Sequence, residues 1–331
     1  MIVPADGAEG VLLKAAGGGT GTFELGAGAQ RSADEASPLP VLEGRLYFLC
    51  TAKAPTSVSG TFFLTVSRLS RREPARCHVA WRRRRAVCMS VPDLSMQFNP
   101  VPYACQLNEK LRYLPFCSDF GPYNLSATHF VYKALAKLLT HPSTASTTIV
   151  FYSSHDATDV TNSVYILGAF LVLFFGATPE QALQPFAGLV GQTVPFRDAT
   201  WVPSTFDLSL RDCWAGLKRA VATGLYTPAT FDFEEYLYYD EPANGDLHQV
   251  VAGKFIAFKG PKSRAVGSVD PGCHSMAPCM YLQVFRAMNV SAVVQLNSPE
   301  YRAADFTDEG ITHYDLSFKD CSTPSDGIVD R

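Results

Sequence analysis

The sequence predicts an α/β protein of two domains, and three observations support this prediction. Its length of 331 residues is that of about two ordinary domains. Short runs of aromatic and aliphatic residues, typical of strands, alternate with segments whose apolar residues recur at helical spacing. This alternation occurs twice, before and after a turn marked by Asn244–Gly245. The pattern therefore indicates α/β architecture in each part of the chain, with a domain boundary near residues 245–253.

The individual elements follow from two periodicities. Runs rich in aromatic and aliphatic residues predict strands at residues 45–50, 61–66, 147–152, 254–258, 292–296 and 312–318. Apolar residues recurring every three or four positions predict helices at residues 127–139, 161–176, 179–189, 206–223, 230–239 and 277–288. The longest strongly apolar run, Val164–Ala177, is shorter than the roughly 20 residues that span a bilayer. We therefore interpret it as a buried helix.

The composition is that of a soluble globular protein, with 47% hydrophobic and 18% charged residues. A formal net charge of -3 gives the chain no overall attraction to nucleic acid or to an anionic membrane. The nine cysteines have no regular spacing. This favours reduced thiols in the cytosol or the nucleus over a disulfide framework.

Two segments break the pattern of strands and helices. Residues 1–43 are rich in glycine, alanine and serine, lack the features of a secretory signal, and are expected to be a disordered tail. Residues 67–110 carry many arginines and show little apolar periodicity. This basic stretch is either a nuclear-targeting or polyanion-binding patch, or an irregular insertion without function.

Two segments match the spacing of a cysteine-phosphatase signature, in which an arginine follows a cysteine after five residues. Such a site holds a thiolate below a loop of backbone N–H groups, and the arginine grips two phosphate oxygens. The matches are Cys77 with Arg83 and Cys213 with Arg219. The first lies in the arginine-rich stretch, where a match arises by chance, and the second lies in a predicted helix. We interpret neither as catalytic.

A strand, a loop and a helix with the layout of a phosphate site occur in the first domain. The predicted strand leads into Ser153–Asp159 and then into a helix, whose N-terminus is a usual place for a bound phosphate. The loop has no cysteine, arginine or glycine, and its two carboxylates would repel an anion. We therefore interpret Ser154, His155 and Asp156 as a degenerate loop without chemistry. A metal site or a serine-hydrolase site is the alternative, although three consecutive side chains do not easily converge on one point.

Seven short motifs follow one another along the chain. They are Phe120–Leu125, Thr178–Ala182, Pro195–Ala199, Asn244–Asp246, Gly253–Phe258, Phe306–Gly310 and Ser322–Asp326. Taken together and in this order, they resemble the cell-division-cycle-fourteen phosphatases, a family that acts at mitotic exit. The likeness covers roughly residues 45–66 and 111–331. It is specific because seven separate motifs share one order.

The resemblance implies two tandem domains of dual-specificity-phosphatase fold, each with a central, mostly parallel sheet flanked by helices. Residues 44–228 would form a non-catalytic domain, 229–250 an acidic linker helix, and 251–331 the start of a catalytic domain that is incomplete here. The implied substrates are phosphoproteins that carry sites made by cyclin-dependent kinases. These sites are chiefly phosphoserine before proline, and phosphothreonine and phosphotyrosine are also accepted. We expect no cofactor and no metal, and the net charge and the short apolar run argue against nucleic acid and membrane as partners. The resemblance implies a location in the nucleus and the cytoplasm, with the centrosome, spindle or basal body as further addresses.

Asp320 matches the general acid of the family. In the family, the matching aspartate protonates the departing serine or tyrosine oxygen while the thiolate attacks phosphorus. A carboxylate that follows a predicted strand and opens a polar loop suits this role. Cys321 stands where the family usually has glycine, a change that would stiffen the loop.

Acidic residues concentrate in and after the linker helix. The resemblance implies that Glu235, Asp240 and Glu241 line a groove that receives a basic residue of the substrate. Asp240 matches one carboxylate of the family groove, whereas Leu237 replaces another, so selection for the basic residue is expected to be weaker here. The alternative is an acidic helix face exposed to solvent.

The family's cysteine loop would lie beyond Arg331, so we expect the chain as given to be inactive. One hypothesis is a protein phosphatase by lineage that acts through a cysteinyl-phosphate intermediate. The other is a non-catalytic module that binds phosphoproteins or partner proteins. A reading frame that continues beyond codon 331 into His-Cys-x5-Arg would favour the first hypothesis, and a stop codon there would favour the second.

Overall fold

A computed structural model describes residues 12–14, 22–27, 38–51, 61–64, 87–88, 113, 115, 117–200, 202–204, 206–265, 274–319 and 322–331. The chain divides into two compact units, Met1–Pro228 and Ala229–Arg331.

The first unit contains strands and helices in mixed order. Its strands are β1 (Leu12–Lys14), β2 (Thr22–Glu24), β3 (Leu39–Leu42), β4 (Leu46–Cys50), β5 (Thr61–Leu64), β6 (Val87–Cys88), β7 (Thr148–Ser153), β8 (Phe196–Arg197) and β9 (Asp207–Leu208). Its helices are α1 (Leu125–Thr140), α2 (Ala157–Phe175), α3 (Pro179–Leu183) and α4 (Leu210–Ala222), with 3-10 turns at Pro142–Thr144 and Gln184–Gln192.

Five strands of the first unit form one sheet in the order β3-β4-β7-β5-β6. Strand β3 runs antiparallel to β4, and the other neighbouring pairs are parallel. The register places Phe48 of β4 beside Phe151 of the central strand β7. All residues of β7 after Thr148 are buried, as in a strand covered on both faces. The predicted α/β architecture is thereby confirmed.

Helix α2 forms the centre of the first unit. Its residues from Val160 to Phe175 are all buried, and it ends at Gly176, whose φ of 70° gives a left-handed cap. Among the described residues it is the one helix long and apolar enough to cross a membrane, and 83% of its most apolar window is buried. Burial on all sides is typical of a core helix.

Trp214 of α4 packs directly against α2. Its side chain is fully buried, and its indole Nε1 donates a hydrogen bond to the carbonyl oxygen of Tyr165 at 2.9 Å. The ring lies over Gly168, where an added Cβ would stand 2.1 Å from the Trp214 Cζ2 atom. The absence of a side chain at Gly168 therefore permits the close approach of the two helices.

The structure differs from the predicted disordered tail over residues 1–43. Leu39–Leu42 forms β3, and both Val41 and Leu42 are fully buried. Strands β1 and β2 also pair within this segment. The apolar run of β3 is short and follows a segment dominated by small residues, so composition alone assigned it to the tail.

Two predicted helices of the first unit have different bounds. The helix expected at residues 206–223 begins at Leu210, because the side chain of Ser209 accepts from the Asp212 N–H and the Asp212 carboxylate accepts in return. The helix expected at residues 179–189 divides into α3 and a 3-10 segment. Pro185 lacks the N–H that would continue the α-helical pattern at this point.

The second unit contains strands β10 (Leu247–Val251), β11 (Phe255–Phe258), β12 (Ala292–Gln295) and β13 (Thr312–Asp315). Its helices are α5 (Phe233–Asp240), α6 (Pro278–Ala287), α7 (Ala304–Thr307) and α8 (Asp326–Val329), with a 3-10 turn at Pro242–Asn244. Helix α5, which the sequence assigns to a linker, lies within this unit.

The strands of the second unit pair in two ways. Strands β10 and β11 form an antiparallel hairpin, whereas β12 and β13 are parallel. The core between them and the helices consists of Leu247, Met276, Tyr281, Phe285, Val293, Tyr301, Phe306 and Ile311. The sequence missed β10, because its polar residues His248 and Gln249 give it no clear strand pattern. The hydrogen bonds to β11 stabilise this segment as a strand, although its own sequence does not predict one.

The arginine-rich stretch at residues 67–110 lies almost entirely outside the described residues. Its described part, Val87–Cys88, pairs in parallel with β5 at the edge of the sheet. The predicted role of this stretch therefore stays a prediction.

Candidate functional site

The loop between β7 and α2 has the layout of a phosphate site, but its own side chains fill the helix N-terminus. Asp156 is the N-cap residue of α2. Its Oδ1 accepts from the backbone N–H of Thr158 at 2.9 Å and of Asp159 at 3.3 Å. These N–H groups are the donors that would bind a phosphate at such a site. The carboxylate of Asp156 therefore occupies the place of the anion.

The rest of the loop is tied together by short-range hydrogen bonds. The Ser154 hydroxyl donates to Asp159 Oδ2 at 2.6 Å, and the backbone N–H of Asp156 donates to Ser154 Oγ at 3.1 Å. His155 is exposed between them. Ser154 is thus bonded to a carboxylate and not to a histidine, which is not the arrangement that activates a serine nucleophile.

The two carboxylates of the loop differ in their environments. The hydrogen bond from the Thr158 hydroxyl, helped by the backbone N–H groups, holds the pKa of Asp156 below its usual value. Burial raises the pKa of Asp159, and the neighbouring charge of Asp156 acts in the same direction. Asp156 therefore carries a fixed negative charge at the helix terminus, where the helix dipole stabilises it.

Asn162, one turn into α2, holds the segment that precedes α1. It is 3% exposed. Its Oδ1 accepts from the backbone N–H of Tyr123 at 3.1 Å, and its Nδ2 donates to the carbonyl oxygen of Gly121 at 3.2 Å. Sequence reasoning missed this residue, because its partners lie 39 and 41 positions away. The family motif at residues 120–125 therefore has a structural role here.

The acidic face of the second unit is built on α5 and the hairpin. Asp240 Oδ1 lies 3.0 Å from Nε2 of His248, so this carboxylate has a partner within its own unit. The ring of Tyr236 stacks on the His248 ring, with 4.4 Å between the centroids and an interplanar angle of 23°. The sequence prediction of a groove did not include His248, for which the chain offers no local signal.

The other predicted groove carboxylates are held less firmly. Glu235 Oε1 accepts from the Gln249 side chain at 3.2 Å. Glu241 is exposed at the end of α5, and Leu237 is half-buried. Within the described part of the chain, neither Glu235 nor Glu241 forms an ion pair with a basic side chain. The structure thus brings Glu235, Asp240 and Glu241 to one helix and its end.

Asp320 and Cys321 lie outside the described residues. Their described flanks continue the pairing of β12 and β13, since the backbone N–H of Phe318 donates to the carbonyl oxygen of Leu296 at 3.0 Å. After the gap, the Ser322 hydroxyl donates to the Lys319 carbonyl oxygen at 2.5 Å. The assignment of Asp320 as general acid therefore stays a prediction.

Cys213 does not have the setting of a catalytic thiolate. It lies inside α4, on the same helix as Arg219, and no phosphate loop joins them. Burial raises the pKa of the Cys213 thiol to about 11, and the charge of Asp212 adds to this effect. A thiol in this state is a poor nucleophile. Cys77 lies outside the described residues.

Among the residues that the structure describes, no group of three or more His, Cys, Asp or Glu side chains could hold a metal ion.

Comparison with known proteins finds similarity to phosphatases. Residues 91–220 match the model of the N-terminal half of dual specificity protein phosphatases. The chain is 38% identical over 226 residues to the dual specificity protein phosphatase CDC14A of Mus musculus, which covers 68% of this chain and 37% of that protein. It is 36% identical over 227 residues to CDC14C of Homo sapiens, covering 68% of this chain and 50% of that protein.

A more distant animal relative gives the same result. The tyrosine-protein phosphatase cdc-14 of Caenorhabditis elegans is 35% identical over 251 residues, covering 73% of this chain and 35% of that protein. The matched part of the chain spans between about a third and a half of the length of these relatives.

Proposed function

Because the chain belongs to the cell-division-cycle-fourteen family of dual-specificity protein phosphatases, we propose that it serves the dephosphorylation of phosphoproteins. The substrates we propose are sites made by cyclin-dependent kinases, chiefly phosphoserine followed by proline, together with phosphothreonine and phosphotyrosine. The similarity to the mouse phosphatase over 226 residues carries this proposal. Two tandem phosphatase-like domains, residues 44–228 and 251–331 with a linker between them, belong to the same proposal.

The reaction we propose has a covalent intermediate. A cysteine thiolate attacks phosphorus, the bond from phosphorus to the substrate oxygen breaks, and an acid protonates that oxygen. Water then hydrolyses the cysteinyl phosphate. We assign the acid to Asp320, on its place just before the motif Ser322–Asp326 and on its position a few residues after β13.

The first unit is proposed to be non-catalytic. Support comes from Asp156, whose carboxylate takes the N–H donors at the start of α2 that a phosphate would need. The hydrogen bond from Ser154 to Asp159 supports it as well, because the serine is bonded to a carboxylate and not to the histidine that activates the serine of a hydrolase triad. On this proposal the first unit has a structural role and no turnover of its own.

The acidic face of α5 is proposed to bind a basic residue of the substrate. Glu235 and Glu241 are exposed carboxylates without an ion pair among the described residues. An exposed carboxylate of this kind attracts a lysine or arginine of a peptide. The face therefore suits a phosphopeptide with a basic residue after the proline, and its occupant is a protein segment and not nucleic acid or membrane.

The chain of 331 residues is proposed to have no turnover by itself. Cysteine is followed by arginine after five residues at Cys77 and Cys213 alone. Cys213 lies inside α4 with a raised pKa, and Cys77 lies in the arginine-rich part of the sequence, where such a match arises by chance. The test is hydrolysis of para-nitrophenyl phosphate by the purified chain, with Cys213→Ser as the matched variant. Turnover that disappears in this variant would overturn the assignment.

The reading frame beyond codon 331 separates the enzyme from its alternative. A frame that continues into His-Cys-x5-Arg supports the phosphatase, and in that longer chain Asp320→Asn should lower kcat on a phosphoserine peptide by about 10²–10⁴-fold. Asp315→Asn, in the same strand region, should leave kcat near the wild-type value. A stop codon at 332 favours a module that binds phosphoproteins or partners without turnover.

The location we propose is the nucleus and the cytoplasm, with the centrosome, spindle or basal body as further addresses. It rests on the family and on nine irregularly spaced cysteines, which suit a reducing compartment. Imaging of the tagged full chain through the cell cycle tests it.

A further inference from the structure

One side chain of the hairpin contacts two residues of α5 at once. Tyr236 and Asp240 are four positions apart, so they lie one above the other on the same face of the helix. His248 of β10 spans both, with its ring stacked on Tyr236 and its Nε2 atom 3.0 Å from Asp240 Oδ1. The side chains of His248 and Asp240 are 31% and 39% exposed. The contact is therefore half-buried and accessible to an incoming peptide.

The ring of His248 has one polar contact on which its orientation depends. Its Nδ1 atom is buried and has no hydrogen-bond partner among the described residues. The stack on Tyr236 fixes the plane of the ring, and Asp240 engages the nitrogen at its outer edge. Because the carboxylate is an acceptor, Nε2 carries a hydrogen in this contact whether the ring is neutral or charged.

The carboxylates of the acidic face thus fall into two groups. Asp240 has a nitrogen partner from the hairpin, and a basic residue of a peptide would have to compete with it. Glu241 is the next residue, is exposed, and has no such partner in the part of the chain that the structure describes. The helix therefore presents one masked and one open carboxylate side by side.

We propose that His248 is a specificity-determining residue that masks Asp240 and so lowers the preference of the acidic face for basic peptide residues. This inference rests on the proposed function, because it assigns a role within the same substrate surface. It adds a residue from β10 to that surface. It also gives a physical basis, beyond the leucine at position 237, for weak selection of a basic residue.

The size of the effect follows from the exposure of the contact. Exposed and half-exposed ion pairs contribute about 0.2–1 kcal/mol, which corresponds to about a 1.4- to 5-fold change in an equilibrium constant. Removal of the mask should raise the preference for a lysine peptide over its uncharged analogue by about two- to fivefold.

Two substitutions separate the mask from the packing of the ring. His248→Phe keeps a flat ring on Tyr236 and removes Nε2, so Asp240 loses its contact with β10. His248→Gln removes the stack but can place an amide N–H near the position of Nε2, so the mask is kept. The probe is a phosphoserine-proline peptide with lysine downstream, compared with the same peptide carrying norleucine. The readout is the ratio of the two dissociation constants with the full chain.

The expected result is a raised ratio for His248→Phe and a wild-type ratio for His248→Gln. When Asp240→Asn is added to His248→Phe, the raised ratio of dissociation constants should return to the wild-type value. Asp240→Asn alone should change the ratio little. A purely structural role for His248 would not give this dependence on Asp240. Equal ratios for the wild type and His248→Phe, with lysine still preferred, would overturn the mask and leave the proposed groove standing. No preference for lysine in any variant, or no binding of either peptide, would overturn the groove and the mask together.

Discussion

The indole ring of Trp214 in α4 packs directly on Gly168 of α2. The indole ring lies where the side chain of any other residue at position 168 would begin, since a Cβ there would stand 2.1 Å from Cζ2. A hydrogen bond from the indole N–H to the Tyr165 carbonyl oxygen holds the ring in this position. The position of α4 against α2 therefore depends on one missing methyl group.

The first prediction concerns this contact. Gly168→Ala should lower the free energy of unfolding by about 1–3 kcal/mol, because the buried ring must move in a packed core. The matched control is Gly216→Ala in α4, where nothing lies within 4 Å of an added Cβ. The control should be neutral or more stable by about 0.5–1 kcal/mol. Urea unfolding of both variants measures the difference, and equal stabilities would contradict the prediction.

The second prediction concerns Asn162. Asn162→Ala should destabilise the first unit by about 2–3 kcal/mol, because it removes the hydrogen bonds that its side chain makes with the backbone N–H of Tyr123 and with the carbonyl oxygen of Gly121. Thr223→Ala, which removes an exposed hydroxyl at the end of α4, should cost less than about 0.5 kcal/mol. A cost for Asn162→Ala as small as that of Thr223→Ala would show that water replaces the lost hydrogen bonds. Thermal or urea unfolding gives both values.

The third prediction concerns acid stability. His129 is buried with its Nδ1 atom 2.7 Å from the Tyr226 hydroxyl, and burial, together with the charge of Lys133, lowers its pKa from 6.5 to about 4. The unfolded chain therefore binds the proton near pH 6.5 and the folded chain only near pH 4. Stability is kept above pH 6.5 and falls as the pH drops through this window, by up to about 1.4 kcal/mol per pH unit.

His129→Asn tests this assignment, because its amide lies near the position of the histidine Nδ1, can still bond to Tyr226 and does not titrate. The free energy of unfolding, measured in urea between pH 7 and pH 4, should depend less on pH in the variant than in the wild type. Parallel curves for the two proteins would assign the acid sensitivity to other groups.

The fourth prediction concerns the cap at Asp156. Asp156→Ala should lower the free energy of unfolding by about 0.5–2 kcal/mol, because it leaves the N–H groups of Thr158 and Asp159 without their acceptor. Asp156→Ser keeps an oxygen at the cap and should recover most of this loss. The pKa of Asp156 is lowered in the fold, so the stability it contributes is present at neutral pH and is lost as the pH falls below about 4. Urea unfolding at pH 7 and pH 3 checks both statements; an alanine variant as stable as the serine variant at pH 7 would count against the cap.

Local sequence predicted the elements that local signals define. The helix expected at residues 277–288 is α6, and the motif at residues 178–182 is a capping box that starts α3. A loop was predicted at residues 153–159, before a helix starting at residue 161. The structure has a loop there but a shorter one, since β7 ends at Ser153 and α2 already begins at Ala157. These features depend on residues that lie close together in the chain.

Contacts between distant residues could not be predicted in this way. Strand β3 exists because β4 pairs with it, and Gly168 is small because Trp214 packs on it from another helix. His248 reaches Asp240 across a turn that brings β10 back to α5. Nothing in the local sequence marks these residues, so the part of the acidic surface that they determine appears only in three dimensions.

The carboxylate at the start of α2 has a consequence for competition between ligands. It is joined to the helix it caps by the chain itself, so its effective concentration at those N–H groups is at least of millimolar order. A free phosphate, vanadate or tungstate ion would have to displace the Asp156 carboxylate from these N–H groups. Oxyanions that inhibit phosphatases should therefore bind poorly at the N-terminus of α2.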